Sequence, residues 1–420
     1  MDTSNITALS PFASPLYVMP KPVGSACNMA CKYCYYLEKK KFYDSSEPRH
    51  LMSEATLEEF IKQYIGATTT PEVNFTWHGG EATMRPIAFY RKALELQQRY
   101  GRGRNIVNCF QTNGTLLTPE WCRFFRENNF LVGISIDGPQ EFHDEFRRMK
   151  NGGASWRKVM AGIDMLKAHG VEWNAMAVVN DFVADYPEDF YDFFKEIGCG
   201  FIQFAPIVER VSENDRGLCS VGMRGELTDF SVAPEQWGEF LCRLFDRWVW
   251  QDVGKVFIQI FDATLANWVG VPPGICSMAP RCGHAAAMEY NGDLYSCDHF
   301  VFPEYKLGNI HSRTIAEMMA SPRQKAFGAA KRDSLPRQCL ECRWLQACNG
   351  ECPKNRFAVT ADGEPGLNYL CQGYRMFFNH VAPYMDWMKA ALERKEAPAG
   401  IMDTPLATEA RRRTESRNQQ

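Results

Sequence analysis

Three cysteines within eight residues, Cys27-Asn28-Met29-Ala30-Cys31-Lys32-Tyr33-Cys34, constrain this chain more than any other stretch. Their spacing is C-x3-C-x2-C, and no fourth cysteine follows nearby. Thiolates bind soft metals, and four of them close a structural zinc site or an iron–sulfur cluster. Three on one loop leave one cluster iron without a protein ligand, open to a substrate or cofactor. The plainer alternatives are a zinc knuckle completed by a distant residue, or buried thiols.

The 420 residues hold sixteen cysteines. Residues 1–13 lack a basic segment followed by an apolar stretch, so no secretory signal is expected and the cytoplasm is the expected compartment. Thiols stay reduced there, which argues against a disulfide framework. Beyond the first three, eight cysteines fall between 276 and 371, and Cys109, Cys122, Cys199, Cys219 and Cys242 are scattered and read as buried thiols. The eleven clustered ones suit one open cluster and two fully ligated ones. Apolar residues at 45% and charged residues at 23% read as globular. A net charge of -3 gives no basic field for nucleic acid, and no apolar run approaches the ~18 residues of a membrane span. A protein or small-molecule substrate fits better than either.

Short apolar runs at 16–19, 73–78, 106–111, 131–137, 171–179 and 201–208 read as strands. Helical stretches at 56–65, 86–100, 119–128, 156–169 and 187–197 lie between them. Thr118-Pro119 looks like an N-cap followed by proline at the first helical position, and Gly170 and Gly198 sit where helix ends need a left-handed residue. Such alternation implies parallel βα units with right-handed crossovers, and six of them make a partial barrel. Barrel enzymes place their chemistry at the C-terminal strand ends. The cysteine loop, His78-Gly79-Gly80-Glu81, Thr112-Asn113-Gly114 and Ser135-Ile136-Asp137-Gly138 all fall there. Residues 212–222 are polar and turn-rich. The stretch 234–253 reads as a long helix whose Trp237, Phe240, Leu241, Leu244 and Trp248 form a core stripe.

The C-terminal half carries Cys276, Cys282 and Cys297, then Cys339-x2-Cys342-x5-Cys348-x3-Cys352, then Cys371. Tyr290-Asn291-Gly292-Asp293-Leu294 reads as a hairpin turn with two positive-φ positions, bringing Cys282 and Cys297 into one neighbourhood. A C-x2-C pair alone fits zinc as well as iron. Asp298, anchored beside Cys297, is either a rigid general base or a solvated turn residue. Residues 396–420, rich in charge, proline and glutamine and including Arg411-Arg412-Arg413, read as disordered after a surface helix at 385–395, and 386–420 as a whole is taken as a flexible C-terminal tail.

The C-x3-C-x2-C loop with an aromatic before its last cysteine, followed by Gly79-Gly80-Glu81, resembles the radical S-adenosylmethionine (SAM) superfamily. The eight later cysteines resemble that superfamily's SPASM extension. Cys27-Asn28-Met29-Ala30-Cys31-Lys32-Tyr33-Cys34-Tyr35-Tyr36-Leu37, His78-Gly79-Gly80-Glu81, Ser135-Ile136-Asp137-Gly138 and Cys297-Asp298-His299 together resemble the anaerobic sulfatase-maturating enzymes over roughly residues 15–385. The resemblance implies an α/β fold, a partial (β/α)6 barrel over 15–235, then a helical bridge over 236–270 and a cysteine-rich SPASM domain over 271–385 with a small β-hairpin and helices.

It implies three 4Fe-4S clusters and SAM as cofactors. Cys27, Cys31 and Cys34 would hold the open cluster. Cys276, Cys282, Cys297 and Cys352 would hold a second, and Cys339, Cys342, Cys348 and Cys371 a third. Neither of the last two has an open iron, so they would move electrons or support structure. Gly80 would meet the SAM amino group, Tyr33 pack at the cofactor, Ser135 reach its ribose or carboxylate, and Arg147 pair with the methionyl carboxylate. Val208 would lie against the adenine. A solvated Arg147 beside Arg148 and simple core packing of Val208 remain the alternatives. Asp298 becomes the catalytic base, and Tyr36 and His78 candidates for touching the substrate peptide.

The implied activity is oxidation of a cysteine or serine in an unfolded or nascent sulfatase polypeptide to 3-oxoalanine (formylglycine), with an electron donor such as ferredoxin or flavodoxin. Another SPASM enzyme, forging thioether or carbon–carbon crosslinks in a peptide, is the nearest alternative; a non-catalytic iron–sulfur or zinc protein is the other. Ala82-Thr83 departs from the proline that many relatives carry after the glutamate.

Overall fold

The computed structural model describes residues 16–43, 50–211 and 225–417. The stretch 212–222, with Cys219, lies outside the described residues. From β1 (Tyr17–Pro20) the chain runs through α1 (Glu54–Ala67), β2 (Glu72–Trp77), α2 (Ile87–Tyr100), β3 (Asn105–Thr112), α3 (Pro119–Glu127) and β4 (Leu131–Ser135). It continues through α4 (Gln140–Phe146), α5 (Trp156–Ala168), β5 (Trp173–Val179), α6 (Pro187–Glu196) and β6 (Phe201–Pro206). This is the α/β alternation expected of a partial barrel. Two compact units divide the chain: 1–135, 146–173 and 282–330 form the first, and 136–145, 174–281 and 331–420 the second.

In the first unit β2, β3 and β4 pair in parallel, Val73 opposite Ile106 and Phe110 opposite Val132. Val73, Phe75 and Trp77 alternate inward along β2 with no exposed surface. Trp77 and Phe110 meet Tyr90 of α2 at ring-centroid distances of 5.5 and 5.0 Å, and Phe110 meets Phe125 of α3 at 5.0 Å. Edge-on aromatic contacts of this kind add to the area they bury. Thr118 caps α3 by accepting from the Trp121 N–H, with Pro119 at the first helical position.

The first strand departs from expectation. β1 takes its ladder from the strand Ala285–Met288, in parallel, with Tyr17 opposite Ala285 and Pro20 opposite Met288. Ala285–Met288 continues antiparallel to Asp293–Tyr295, which pairs with Lys306–Asn309. β2 reaches β1 through the His78 N–H on the Pro20 carbonyl, at 3.2 Å. The turn at 289–292 has one left-handed residue, Gly292 at φ +87°, where two were expected. The Gly292 N–H closes onto the Glu289 carbonyl, so a four-residue turn ending in a left-handed glycine does the work assigned to Asn-Gly.

In the second unit β5 and β6 pair in parallel and gain the strand Phe257–Ile258, which the sequence reading lacked. Its helices are α6, α7 (Pro234–Val249), α8 (Gln259–Trp268) and the 23-residue helix Cys371–Glu393. The stripe Trp237, Phe240, Leu241, Leu244 and Trp248 is buried, as its spacing predicts. A Cβ on Gly238 would stand 2.8 Å from the Gly373 Cα, so α7 and the long helix cross in near backbone contact.

The flexible-tail expectation for 386–420 is corrected over 386–417. That stretch finishes the long helix, turns at Pro398–Asp403 and ends in the helix Pro405–Arg417. Ala407, Ala410 and Thr414 are buried there, and Arg413 and Arg417 reach the fully buried Asp246 of α7 at 2.6 and 3.1 Å. A buried carboxylate needs charged partners, and this tail supplies two.

Candidate active site

The cysteine triplet lies in the loop after β1, and all three thiols are half-buried. Backbone bonds pin the loop: the Ala30 N–H donates to the Arg148 carbonyl at 2.8 Å and the Lys32 N–H to that of Phe146 at 2.9 Å. Burial pushes the Cys27 thiol up to about 11, although the Met29 N–H donates to its sulfur at 3.3 Å. A cationic metal removes that proton outright, so three soft donors on a braced loop fit an iron–sulfur cluster. Among the described residues no three His, Cys, Asp or Glu side chains converge as a single-ion site requires.

Four of the SAM-contact candidates fall in the first unit. Gly80 has φ +30°, and a Cβ there would stand 1.8 Å from the Ala26 carbonyl oxygen, so only glycine fits against the cysteine loop. The next residue holds that approach: the Glu81 N–H donates to the same carbonyl at 2.8 Å. The Glu81 carboxylate is buried and accepts from the Thr83 hydroxyl (2.5 Å), the Thr112 hydroxyl (2.6 Å) and the Asn113 N–H (2.7 Å). Thr83 is thus tied to the glutamate two residues before it. Ser135 accepts from Gln111 Nε2 at 3.0 Å. Arg147 Nη1 donates to the Tyr33 hydroxyl at 2.7 Å, and both side chains are buried, so the guanidinium is not a solvated surface group. Val208 belongs to the second unit, is buried, and its carbonyl accepts from Lys354 Nζ at 3.2 Å.

Asp298 sits in a single turn directly after Cys297. Lys21 Nζ lies 2.5 Å from its Oδ1, and the Tyr35 hydroxyl donates to its Oδ2 at 2.5 Å. The Lys21 side chain has no exposed surface, while that of Asp298 keeps 19%. The same ammonium lies 3.1 Å from His78 Nδ1 and 4.6 Å from the Tyr36 ring centroid. The Gly79 N–H also points at that Nδ1, at 2.5 Å. Both neighbours can only donate, so Nδ1 is the acceptor and the ring proton sits on Nε2. Burial, then the Lys21 charge, push His78 down to about 3 against the pull of Asp298. The ring is therefore neutral. Burial, the largest influence, raises Asp298, but the Lys21 charge and hydrogen bond, together with the neighbouring His78 and His299, outweigh it and hold the carboxyl well below the usual range. It stands ionised.

Lys21 escaped the sequence reading: one lysine after a strand-ending proline looks like any solvated lysine. So did Glu289, a buried carboxylate that accepts from the Tyr36 hydroxyl and, at 2.9 Å, from the Tyr43 hydroxyl. Its hydrogen bonds fix Tyr36, the candidate peptide contact.

Cys282 and Cys297 belong to the first unit, Cys276 and Cys352 to the second. Gln324 binds the carbonyls beside the first pair, Gly283 at 3.1 Å and Ser296 at 3.2 Å. Lys331 Nζ binds the Cys276 carbonyl at 2.7 Å. Cys339, Cys342, Cys348 and Cys371 all line one cavity of about 540 Å³ in the second unit, with Trp344, Tyr374 and Arg375. Four thiols on one such cavity fit a fully ligated cluster.

Residues 22–194 match the Radical SAM superfamily, and residues 276–343 match SPASM, an iron–sulfur cluster-binding domain. A serine-type anaerobic sulfatase-maturating enzyme of Bacteroides thetaiotaomicron is 67% identical over 94% of this chain and 96% of its own length. A cysteine-type enzyme of Clostridium novyi is 32% identical over 86% of this chain and 94% of its own. Among solved structures, native anSMEcpe with bound AdoMet and Cp18Cys peptide superposes with a TM-score of 0.79 at 29% identity, covering 90% of this chain and all of its own. The chain belongs to the anaerobic sulfatase-maturating enzymes of the radical SAM superfamily.

Proposed function

We propose that this enzyme oxidises one cysteine or serine of an unfolded or nascent sulfatase polypeptide to 3-oxoalanine. The observation that carries the reading is the Asp298–Lys21–His78–Tyr35 constellation beside Cys297. Cys27, Cys31 and Cys34 would hold a 4Fe-4S cluster with one iron left for SAM. The sets Cys276/Cys282/Cys297/Cys352 and Cys339/Cys342/Cys348/Cys371 would hold two more. When bound, SAM and the first cluster supply a 5'-deoxyadenosyl radical able to take a hydrogen atom from the substrate Cβ.

The chain's own residues do the rest. The Gly80 backbone, Ser135 and Arg147 orient SAM, the buried guanidinium offering its carboxylate a charge-assisted bond. Tyr33 holds Arg147 in place, and Val208 packs at the adenine. Once a hydrogen atom has left the Cβ, Asp298 accepts the thiol or hydroxyl proton while the remaining electron leaves, for which either further cluster would be a sink. Serine then gives the aldehyde directly, and cysteine gives a thioaldehyde that water converts with release of sulfide. Lys21 keeps the Asp298 carboxylate ionised until that proton arrives. His78 has its only lone pair, on Nδ1, taken up by Lys21 and the Gly79 N–H, which leaves the Asp298 carboxylate as the nearby proton acceptor. Tyr36, fixed by Glu289, and His78 contact the peptide. A ferredoxin or flavodoxin fits as electron donor, and the cytoplasm as compartment. No helix among the described residues is long and apolar enough to cross a membrane.

The deciding experiment gives the reduced enzyme and SAM sulfatase-motif peptides in serine and cysteine forms. The mass change of formylglycine is expected, with the serine form accepted, as the serine-type name of the 67%-identical relative suggests. Release of 5'-deoxyadenosine with both peptides unchanged would favour a crosslinking enzyme instead.

A further inference from the structure

The end of β3 carries Thr112-Asn113-Gly114, and none of the roles above uses Asn113. The residue is 6% exposed. Its Oδ1 accepts twice from one residue, from the Thr115 N–H at 3.0 Å and the Thr115 hydroxyl at 2.7 Å. Those two donors fix which end of the amide is oxygen. The Nδ2 end therefore faces the cysteine loop, where it donates to Asn28 Oδ1 at 2.9 Å and lies 3.7 Å from Cys27 Sγ. Asn28 Nδ2 closes the ring by donating to the Thr115 hydroxyl at 2.8 Å. The backbone is anchored as well, because the Asn113 N–H donates to Glu81. These contacts hold the amide so that its Nδ2 reaches both Asn28 and the Cys27 sulfur.

We infer that Asn113 sets the reduction potential of the cluster held by Cys27, by donating an N–H···S hydrogen bond to that ligand. The inference rests on the reading that Cys27, Cys31 and Cys34 hold a cluster. Reduction adds negative charge to the cluster and its thiolates. A donor aimed at a thiolate stabilises the reduced form more than the oxidised one and so raises the potential. Glu81, Asn28 and Thr115 act through Asn113 as positioning residues.

The test is a potentiometric titration of the reconstituted full-length enzyme, following the EPR signal that added SAM perturbs. With Asn113→Ala, iron and sulfide content should match the wild type. The ratio of reduced to oxidised cluster at a fixed poise should fall by up to roughly tenfold, a shift of about 59 mV to more negative potential. SAM cleavage should slow with a mild reductant and recover with a stronger one, a rescue that structural damage would not permit. An unmoved potential with the cluster intact overturns the inference. Failure of the wild type itself to assemble a SAM-responsive cluster overturns the underlying reading instead. Should Asn113→Ala lose iron, wild-type enzyme labelled with 15N at its asparagine side-chain amides decides. Nitrogen hyperfine coupling to the reduced cluster supports the hydrogen bond, and its absence overturns it.

Discussion

Lys21 shows how one buried side chain can organise a site, binding Asp298 and His78 at once. Its ammonium is sealed from water and shared between a carboxylate and a neutral imidazole. Asp298→Asn should cut formylglycine formation by about 10²–10⁴-fold, the usual share of general acid–base catalysis. Cleavage of SAM to 5'-deoxyadenosine should persist. Lys21→Met should lose about 10²-fold in the same product, since it unpairs and shifts the base without deleting it. Comparing both products by mass spectrometry checks the pair of predictions, and full activity in Asp298→Asn would remove the base assignment. The sequence singles out Asp298 because it adjoins a cysteine of a patterned set. It does not single out Lys21: its meaning comes from a residue 277 positions later, and no local pattern marks a lysine as buried. Glu289 was hidden the same way, its partners Tyr36 and Tyr43 lying far upstream.

Among elements, the C-terminal helix Pro405–Arg417 reverses the reading of its own composition. An arginine run followed by polar residues looks solvated unless a buried anion is known to wait for it. Asp246 is that anion, bound also by His380 at 2.8 Å. Burial pushes the Asp246 carboxyl up, but hydrogen bonds from His380 and Arg413 outweigh burial and hold it below its ordinary value. A carboxyl lowered in the folded state contributes stability above its unfolded pKa of about 3.9 and loses it as pH falls through the folded value. Urea unfolding midpoints should therefore drop below about pH 4 in the wild type and drop less in Arg413→Met. At neutral pH that variant should cost roughly 1–3 kcal/mol, as His380 and Arg417 still serve the carboxylate. An unchanged midpoint would mean the contact is decorative. The barrel strands β2 to β6 were readable because apolar runs, capping residues and left-handed glycines recur in step. The partner of β1 was not, since Ala285–Met288 is alanine-rich and carries no β-branched signature.

At the scale of the whole chain the cysteines divide the chemistry. The first unit holds the triplet and Asp298; the second holds a cavity with four thiols on its wall. Burial pushes the Cys348 thiol well up, so without metal it carries a proton, and loading the site must release protons. The three 4Fe-4S clusters proposed would amount to about twelve irons per chain. Cys348→Ala should lower that to about eight, with acid-labile sulfide falling in step. The SAM-responsive signal of the N-terminal cluster should remain, because Cys348 and the triplet lie in separate units. Reconstitution of the wild type should also slow as pH falls, since protons compete with iron for a thiol that burial already favours keeping protonated. Iron unchanged in the variant would show that Cys348 is no ligand. Zinc without sulfide would show that the cavity holds a different metal, and would leave the triplet's assignment to be judged on its own response to SAM.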